Sequence, residues 1–116
     1  MPQQNNAERR DLFPGALEMM ILQILRREPL HGYAIGNRIQ EASGDLLQIE
    51  EGSLYPALQR MLKAEWVEAE WGVSLQNRRV RIYKITAAGK KQLQRQVSDF
   101  ERMMDGFTRV MRPARS

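Results

Sequence analysis

The pattern of apolar and polar residues predicts where the folded domain begins. Residues 1–11 are mostly Gln, Asn and charged residues with little to bury, so we expect a flexible arm there. From position 17 onward, five apolar residues recur at i, i+3, i+4, i+7 and i+8, which is one face of an α-helix. They are Leu17, Met20, Ile21, Ile24 and Leu25. Pro29 follows this first helix and ends it.

Two further helical patterns follow the first. One opens at Gly32 and ends at Ser43–Gly44, with Ile35 and Ile39 on its apolar side. The other runs from Ser53 to about Glu65. Ser53 is the predicted N-cap, because its hydroxyl can accept a hydrogen bond from a first-turn N–H group. Pro56 would then fall in the first turn, where proline is tolerated.

The period changes from 3.6 to 2 after the third helix, which predicts two strands. Val67, Ala69 and Trp71 alternate with glutamates, and Val80 and Ile82 alternate with Arg79, Arg81 and Tyr83. The connection over residues 72–78 is longer than a tight hairpin turn. We expect a hairpin whose tip is free to reach outward.

A last helix is predicted from a cap at Thr86 to Met111, about 26 residues or ~39 Å long. Its apolar residues are spaced 4, 3, 4, 3 and 4 apart, the repeat of a coiled-coil seam. They are Leu93, Val97, Phe100, Met104, Phe107 and Met111. We predict dimerisation through this seam, joined by Leu17 and Ile21. The alternative is that the stripe packs on its own domain.

Composition limits the class of protein. The 116 residues carry a net charge of +4 with 42% hydrophobic residues, enough for one compact basic domain. The absence of cysteine fits a reducing compartment, and the sequence offers no apolar run near the ~20 residues of a membrane span. With one histidine, His31, a metal or catalytic His cluster within a subunit is excluded. We expect a cytoplasmic protein with no cofactor, no metal, no membrane partner and no enzymatic activity.

The order of elements and the placement of charge point to nucleic acid. Helix, helix, turn, helix and a two-stranded wing is the order of a winged helix-turn-helix. Residues 76–98 hold seven basic residues and no acidic one, whereas residues 41–51 hold four acidic residues and no basic one. The predicted fold is therefore mainly α with a small β-hairpin: a winged helix-turn-helix over 12–85, a long C-terminal dimerisation helix over 86–112, and a tail over 113–116.

The polar face of the third helix is the predicted DNA-reading surface. Gln and Arg can each bond a purine edge with two hydrogen bonds, and first-turn groups suit phosphate oxygens. The candidate DNA-binding residues of this helix are Ser53, Tyr55, Pro56, Gln59, Arg60 and Lys63. From the second helix we add Asn37 and Tyr33, where Tyr33 either contacts the DNA backbone or covers the core. Each residue taken alone could equally belong to a solvated helix face.

The wing adds Asn77, Arg78, Arg79 and Arg81 to the predicted DNA-binding residues. Arg78 lies at the loop end without an obvious acidic partner in the sequence, so we expect it to bind phosphate. Arg79 and Arg81 have two possible roles. A register that sets Val67 and Ala69 beside Val80 and Ile82 would bring Glu68 and Glu70 close to these arginines as salt-bridge partners.

Several separate motifs, in order, resemble the PadR family of bacterial transcriptional regulators. They are Pro29-Leu30-His31-Gly32-Tyr33, Glu50-Glu51-Gly52-Ser53-Leu54-Tyr55-Pro56-Ala57-Leu58, Glu70-Trp71-Gly72, Asn77-Arg78-Arg79 and Ile85-Thr86-Ala87-Ala88-Gly89. The resemblance covers about Leu12 to Leu93. It implies a homodimeric winged-helix repressor that binds an inverted-repeat operator, with Ser53, Tyr55 and 77–79 at the DNA.

The single C-terminal helix is similar to the short subfamily, whose multidrug-sensing members bind flat aromatic compounds between subunits. The resemblance thus implies a possible effector pocket at Leu17, Met20, Phe100, Met104 and Phe107, where release of the repressor would follow binding of an aromatic small molecule. Phe100 stands near the place where those relatives have Trp. The alternative function is a winged-helix dimer that serves as a scaffold for small molecules or proteins without sequence-specific DNA binding.

Overall fold

The computed structural model describes residues 13–113, so the predicted arm at 1–11 and residues 114–116 of the predicted tail lie outside the described residues. Four helices and three short strands make up this part of the chain. In order they are α1 (Ala16–Leu25), β1 (Leu30–His31), α2 (Gly32–Ala42), α3 (Glu51–Lys63), β2 (Val67–Val73), β3 (Arg79–Ile85) and α4 (Ala87–Met111). This is the predicted mainly α winged-helix architecture.

The helix α1 lies at the centre of the core. Ile21 and Leu22 have no exposed surface at all, and α1 contacts α2, α3, β3 and α4. The apolar side chains from all four helices and from the sheet form one cluster around it. Its main members are Leu17, Ile21, Leu25, Ile35, Ile39, Leu54, Leu58, Met61, Val67, Tyr83, Ile85 and Leu93.

The start of α3 differs from the sequence prediction. Residue Glu50 is the N-cap, and the backbone N–H groups of Ser53 and Leu54 both donate to its carbonyl oxygen at 2.9 Å. Ser53 is therefore the third residue of the helix and not its cap. Pro56 is the sixth helical residue, beyond the first turn, so the helix gives up one internal hydrogen bond there.

The three strands form one antiparallel sheet in the order β1-β3-β2. The two-residue strand β1, which the sequence pattern did not predict, pairs Leu30 with Tyr83 and His31 with Ile82. The predicted hairpin register is wrong. Val67 pairs with Ile85 and Ala69 with Tyr83, so Tyr83 and Ile85 face the core while Val80 and Ile82 lie on the other face.

The helix α4 begins where the sequence placed it. The Thr86 hydroxyl accepts a hydrogen bond from Gly89 N at 2.9 Å and donates to the Glu65 carbonyl oxygen at 2.7 Å. Gly89 and Leu93 are buried against the domain, whereas every residue from Glu101 to Pro113 is exposed. The first half of α4 thus closes the core and the second half projects away from it.

Candidate nucleic-acid interface

A concave cleft of about 770 Å³ lies between the wing, the exposed side of α3 and the start of α2. Three arginines, Arg78, Arg79 and Arg81, line it, and no acidic side chain does. The remaining lining residues are His31, Gly32, Tyr33, Tyr55, Gln59, Trp71, Ser74, Gln76, Val80 and Tyr83. The cleft is therefore positive and carries both hydrogen-bonding and flat aromatic groups, the combination that suits a phosphate backbone.

Trp71 holds the arginines of the wing. The register sets Arg81 directly opposite Trp71, and the Arg79 Cζ atom lies 4.3 Å from the centroid of its indole. The hypothesis of salt bridges from Glu68 and Glu70 to these arginines depended on a different register. In the observed one Glu68 lies opposite Lys84, with 3.7 Å between its carboxylate and the Lys84 Nζ atom.

The tip of the wing is a compact turn. Ser74 N donates to the Arg78 carbonyl oxygen at 2.8 Å, and Arg78 N donates to the Ser74 hydroxyl at 3.2 Å. Asn77 has a φ of 63°, the left-handed conformation that asparagine tolerates better than most residues. Asn77 thereby shapes the turn that presents the exposed Arg78 side chain at the end of the cleft.

The exposed face of α3 contains most of the residues predicted to read DNA. Pro56, Gln59 and Lys63 are exposed and Ser53 is half-buried. Arg60, although exposed, is engaged: its Nη2 and Nε atoms donate to one Glu18 carboxylate oxygen of α1 at 2.7 and 3.1 Å. The sequence did not predict this pairing, because the partners are 42 residues apart.

Tyr55 packs over the start of α2. A Cβ atom added at Gly32 would lie 2.7 Å from the Tyr55 Cε1 atom and 2.9 Å from its hydroxyl oxygen. Burial raises the pKa of the Tyr55 hydroxyl, and the Glu51 carboxylate and Tyr83 add smaller increases. Tyr55 is thus a neutral hydrogen-bonding group at the junction of α2 and α3.

The two candidates on α2 are both exposed, but they differ in position. Tyr33 is 62% exposed and lines the cleft, so it does not cover the core. Asn37 is exposed one turn further along α2, outside the residues that line the cleft.

The predicted dimerisation residues divide into two groups. Leu17, Ile21 and Leu93 are part of the core of their own subunit, which leaves them little surface for the predicted dimer interface. They have at most 8% of their surface exposed. Beyond them, the apolar residues of α4 are exposed, except for the half-buried Phe100. These are Val97, Phe100, Met103, Met104, Phe107, Val110 and Met111.

The possible effector pocket is also placed differently from the prediction. Phe100 stacks on Phe13 with 5.2 Å between ring centroids, and a cleft of about 260 Å³ lies beside this pair. Met19 and Met103 line the cleft, whereas the predicted Leu17, Met20, Met104 and Phe107 do not. The lining differs from the prediction because Met19 of α1 and Met103 of α4 both face this cleft.

A comparison with protein families identifies the chain. Residues 21–95, more than half of the sequence, match the model of the transcriptional regulator PadR-like family. The chain belongs to the PadR-like family. The matched residues include the second half of α1, the helices α2 and α3 and the wing, so the family model covers the whole positive cleft.

The chain is also similar to a protein of known sequence and to solved structures that share its fold. A protein from Lysinibacillus sphaericus is 32% identical over 92 residues, covering 79% of this chain and 84% of the relative. A transcriptional regulator from Clostridium thermocellum has a TM-score of 0.80 at 24% identity, covering 88% of this chain and 99% of that one. Bacillus subtilis PadR in complex with operator DNA has a TM-score of 0.63 at 23% identity, covering 70% and 45% respectively.

Membership in the PadR-like family makes this chain one of a class of transcriptional regulators. Across residues 13–113 no group of three or more side chains is arranged to hold a metal ion. A search of the same residues found no helix long and apolar enough to cross a membrane.

The sequence did not predict the roles of two side chains, Trp71 in the cleft of this PadR-like protein and Glu18 beside α3. The alternating pattern identifies Trp71 only as a strand residue. Its place in a hairpin beside several arginines is a signal that guanidinium groups can stack on its ring. Glu18 was not considered, and its pairing with Arg60 depends on how α1 crosses α3, which no local pattern encodes.

Proposed function

We propose that this protein is a DNA-binding transcriptional repressor that occupies an inverted-repeat promoter site as a homodimer. The observation that carries the proposal is the positive cleft, in which Arg78, Arg79 and Arg81 face the exposed side of α3. In the proposed complex α3 enters the major groove, and the wing arginines bind the flanking phosphates. The relative from Bacillus subtilis that forms a complex with operator DNA supports this arrangement.

The residues divide into two roles in this proposal. Gln59, Lys63 and Pro56 reach the base edges or the adjacent backbone from α3, joined at the helix start by Ser53 and Tyr55. Tyr33 and Arg78 bind phosphate on either side of the groove. Asn37 lies outside the cleft, so it would contact DNA only where the DNA backbone curves toward α2.

The proposed homodimer is supported by the projecting half of α4. Five apolar residues of this helix are all more than one-third exposed, and contiguous exposed apolar surface is typical of an association site. They are Met103, Met104, Phe107, Val110 and Met111. Pairing of this surface with its copy in a partner would give a two-fold assembly, which matches the symmetry of an inverted repeat.

We also propose release by a small aromatic effector, acting in the bacterial cytoplasm. The cleft beside Phe13 and Phe100 supports this step, since Met19 and Met103 supply adaptable apolar walls. The Gln96 Oε1 atom at this cleft is buried without a hydrogen-bond partner and could accept one from a ligand. Effector binding there would tilt α4 relative to the winged domain and change the spacing of the two reading helices.

The test is fluorescence anisotropy with a duplex of the promoter region of its own gene and a scrambled duplex, each at two salt concentrations. We expect a preference of ~10³-fold or more that survives the higher salt. Lys63→Gln and Arg78→Gln should each weaken binding and reduce the salt slope by about one. Arg26→Gln removes the same charge outside the cleft and should leave the slope unchanged. Equal binding to both duplexes that disappears with salt would favour the scaffold alternative.

A further inference from the structure

Trp71 is a large aromatic side chain left on the surface of the wing. It is 59% exposed and lines the cleft, so burial of its ring contributes little to the stability of the fold. Its strand neighbours on the same face, Ala69 and Val67, point progressively into the core. An indole at the end of such a row needs a different physical reason.

The face of the indole is occupied by guanidinium groups. The Arg79 Cζ atom lies 4.3 Å and the Arg81 Cζ atom 5.9 Å from the ring centroid, both within the ~6 Å range of a cation–π contact. Arg81 also lies 6.0 Å from the ring centroid of Tyr83. The hairpin register produces this stack, because Arg81 is directly opposite Trp71 and Arg79 is opposite Val73, one diagonal away.

The carboxylates of the hairpin are kept away from this stack. Glu68 and Glu70 alternate onto the opposite face, where they pair in register with Lys84 and Ile82. A carboxylate would use the in-plane N–H donors of a guanidinium, whereas an aromatic ring contacts only its flat face. Stacking on Trp71 therefore orients the two arginines and leaves their N–H donors available.

We propose that Trp71 is a positioning residue that holds the guanidinium groups of Arg79 and Arg81 over the cleft, ready to donate to the phosphates of a DNA backbone. The inference rests on the proposed DNA-binding function and adds to it a residue that acts through two others. Holding the side chains in place before binding reduces the rotamer entropy lost when the complex forms.

The experiment is a mutant cycle measured by anisotropy at low salt, with the promoter duplex and with the scrambled duplex, since phosphate contacts do not depend on sequence. Trp71→Ala and Trp71→Leu should each weaken binding about two- to fivefold, and Trp71→Phe, which keeps a ring face, should lose less. In an Arg79→Gln/Arg81→Gln background, Trp71→Ala should cause no further loss. In an Arg78→Gln background, Trp71→Ala should weaken binding by the same factor as in the wild-type protein, because Arg78 lies outside the stack.

Two results would overturn the inference while leaving DNA binding intact. One is a loss of affinity from Trp71→Ala that is as large in the Arg79→Gln/Arg81→Gln background as in the wild-type protein. This result would mean that the indole contacts DNA itself. The other is wild-type affinity in Trp71→Ala. Circular dichroism melting of each variant verifies that the exposed substitution leaves the fold unchanged. Failure of the wild-type protein to bind either duplex would instead overturn the proposed function, and this inference with it.

Discussion

Arg60 shows how one contact determines whether a charge on a reading helix is available. It stands on the exposed side of α3, yet its guanidinium donates twice to the Glu18 carboxylate of α1. The Glu18 side chain is only 16% exposed, so this carboxylate is held firmly beside the helix. Binding of Arg60 to DNA must therefore compete with an existing ion pair.

Removal of that competitor should strengthen DNA binding. Glu18→Gln is expected to raise the affinity for the promoter duplex about two- to fivefold and to lower the free energy of unfolding by up to about 1 kcal/mol, the range of partly exposed pairs. Anisotropy and urea denaturation measure the two effects. The matched control is Glu28→Gln, which removes the same charge from the Arg38–Glu28 pair outside the cleft. If Glu28→Gln raised the affinity as much as Glu18→Gln, the effect would come from the change in net charge alone.

For single residues, the sequence predicted which side chains lie on the surface better than it predicted which partners they contact. The types and exposure of Gln59, Lys63 and Arg78 follow from helical spacing and from the position of a turn, so their place on the surface was predictable. The partners of Arg60 and Arg79 were not, because they depend on how α1 crosses α3 and on a hairpin register.

The helix α4 contains two glycines with opposite surroundings. At Gly89 an added Cβ would collide with the Trp66 carbonyl oxygen and would lie 2.9 Å from the Ile85 Cγ1 atom. Backbone cannot move aside as a flexible side chain does. At Gly106 an added Cβ meets no heavy atom within 4 Å. The start of α4 thus needs glycine for close packing, whereas the projecting half does not.

Alanine at these two positions should have opposite effects on stability. Gly89→Ala is expected to lower the free energy of unfolding by about 1–3 kcal/mol through overpacking. Gly106→Ala should raise helix stability by about 0.5–1 kcal/mol, because alanine loses less backbone entropy in a helix. Urea denaturation followed by circular dichroism measures both. A stabilising Gly89→Ala would show that the start of α4 can move away from β2.

The elements themselves were largely predictable, with physical reasons for the exceptions. Apolar spacing located the four helices, and the Thr86 cap is confirmed by its hydrogen bond to Gly89. The strand β1 has two residues, too few to show a period. The register failed because β3 carries apolar residues on both faces, with Ile82 on one and Tyr83 on the other, so alternation alone could not select the core face.

On the scale of the whole molecule, the projecting apolar surface of α4 is the main unpaired feature of the described residues. One residue of the predicted seam, Leu93, closes the core of its own subunit. The 3.5-residue spacing is continuous along the helix and cannot reveal where the domain surface ends. The predicted division at residue 86 stays a prediction, as does the dimer.

A charge in the projecting surface should dissociate the proposed dimer. Phe107→Glu is expected to convert the protein to a monomer and to weaken promoter binding at least tenfold, because the two half-sites would no longer be bound together. Light scattering measures the mass, and anisotropy measures the affinity. Arg109→Glu adds a negative charge beside the apolar surface, where Arg109 pairs with Asp105, and should leave the mass unchanged. A monomeric wild-type protein would contradict the dimer directly.

The rigid attachment of α4 also determines how movement passes through the molecule. Leu93 and the Thr86 cap anchor the base of the helix, so a change of tilt at this base would swing the projecting half. The 18 residue steps from Leu93 to Met111 span about 27 Å at 1.5 Å per residue, so a change of tilt of about 5° would displace the far end by about 2 Å. In the proposed dimer, a small change of tilt at the base would therefore be amplified along α4 and would change the distance between the two DNA-reading surfaces.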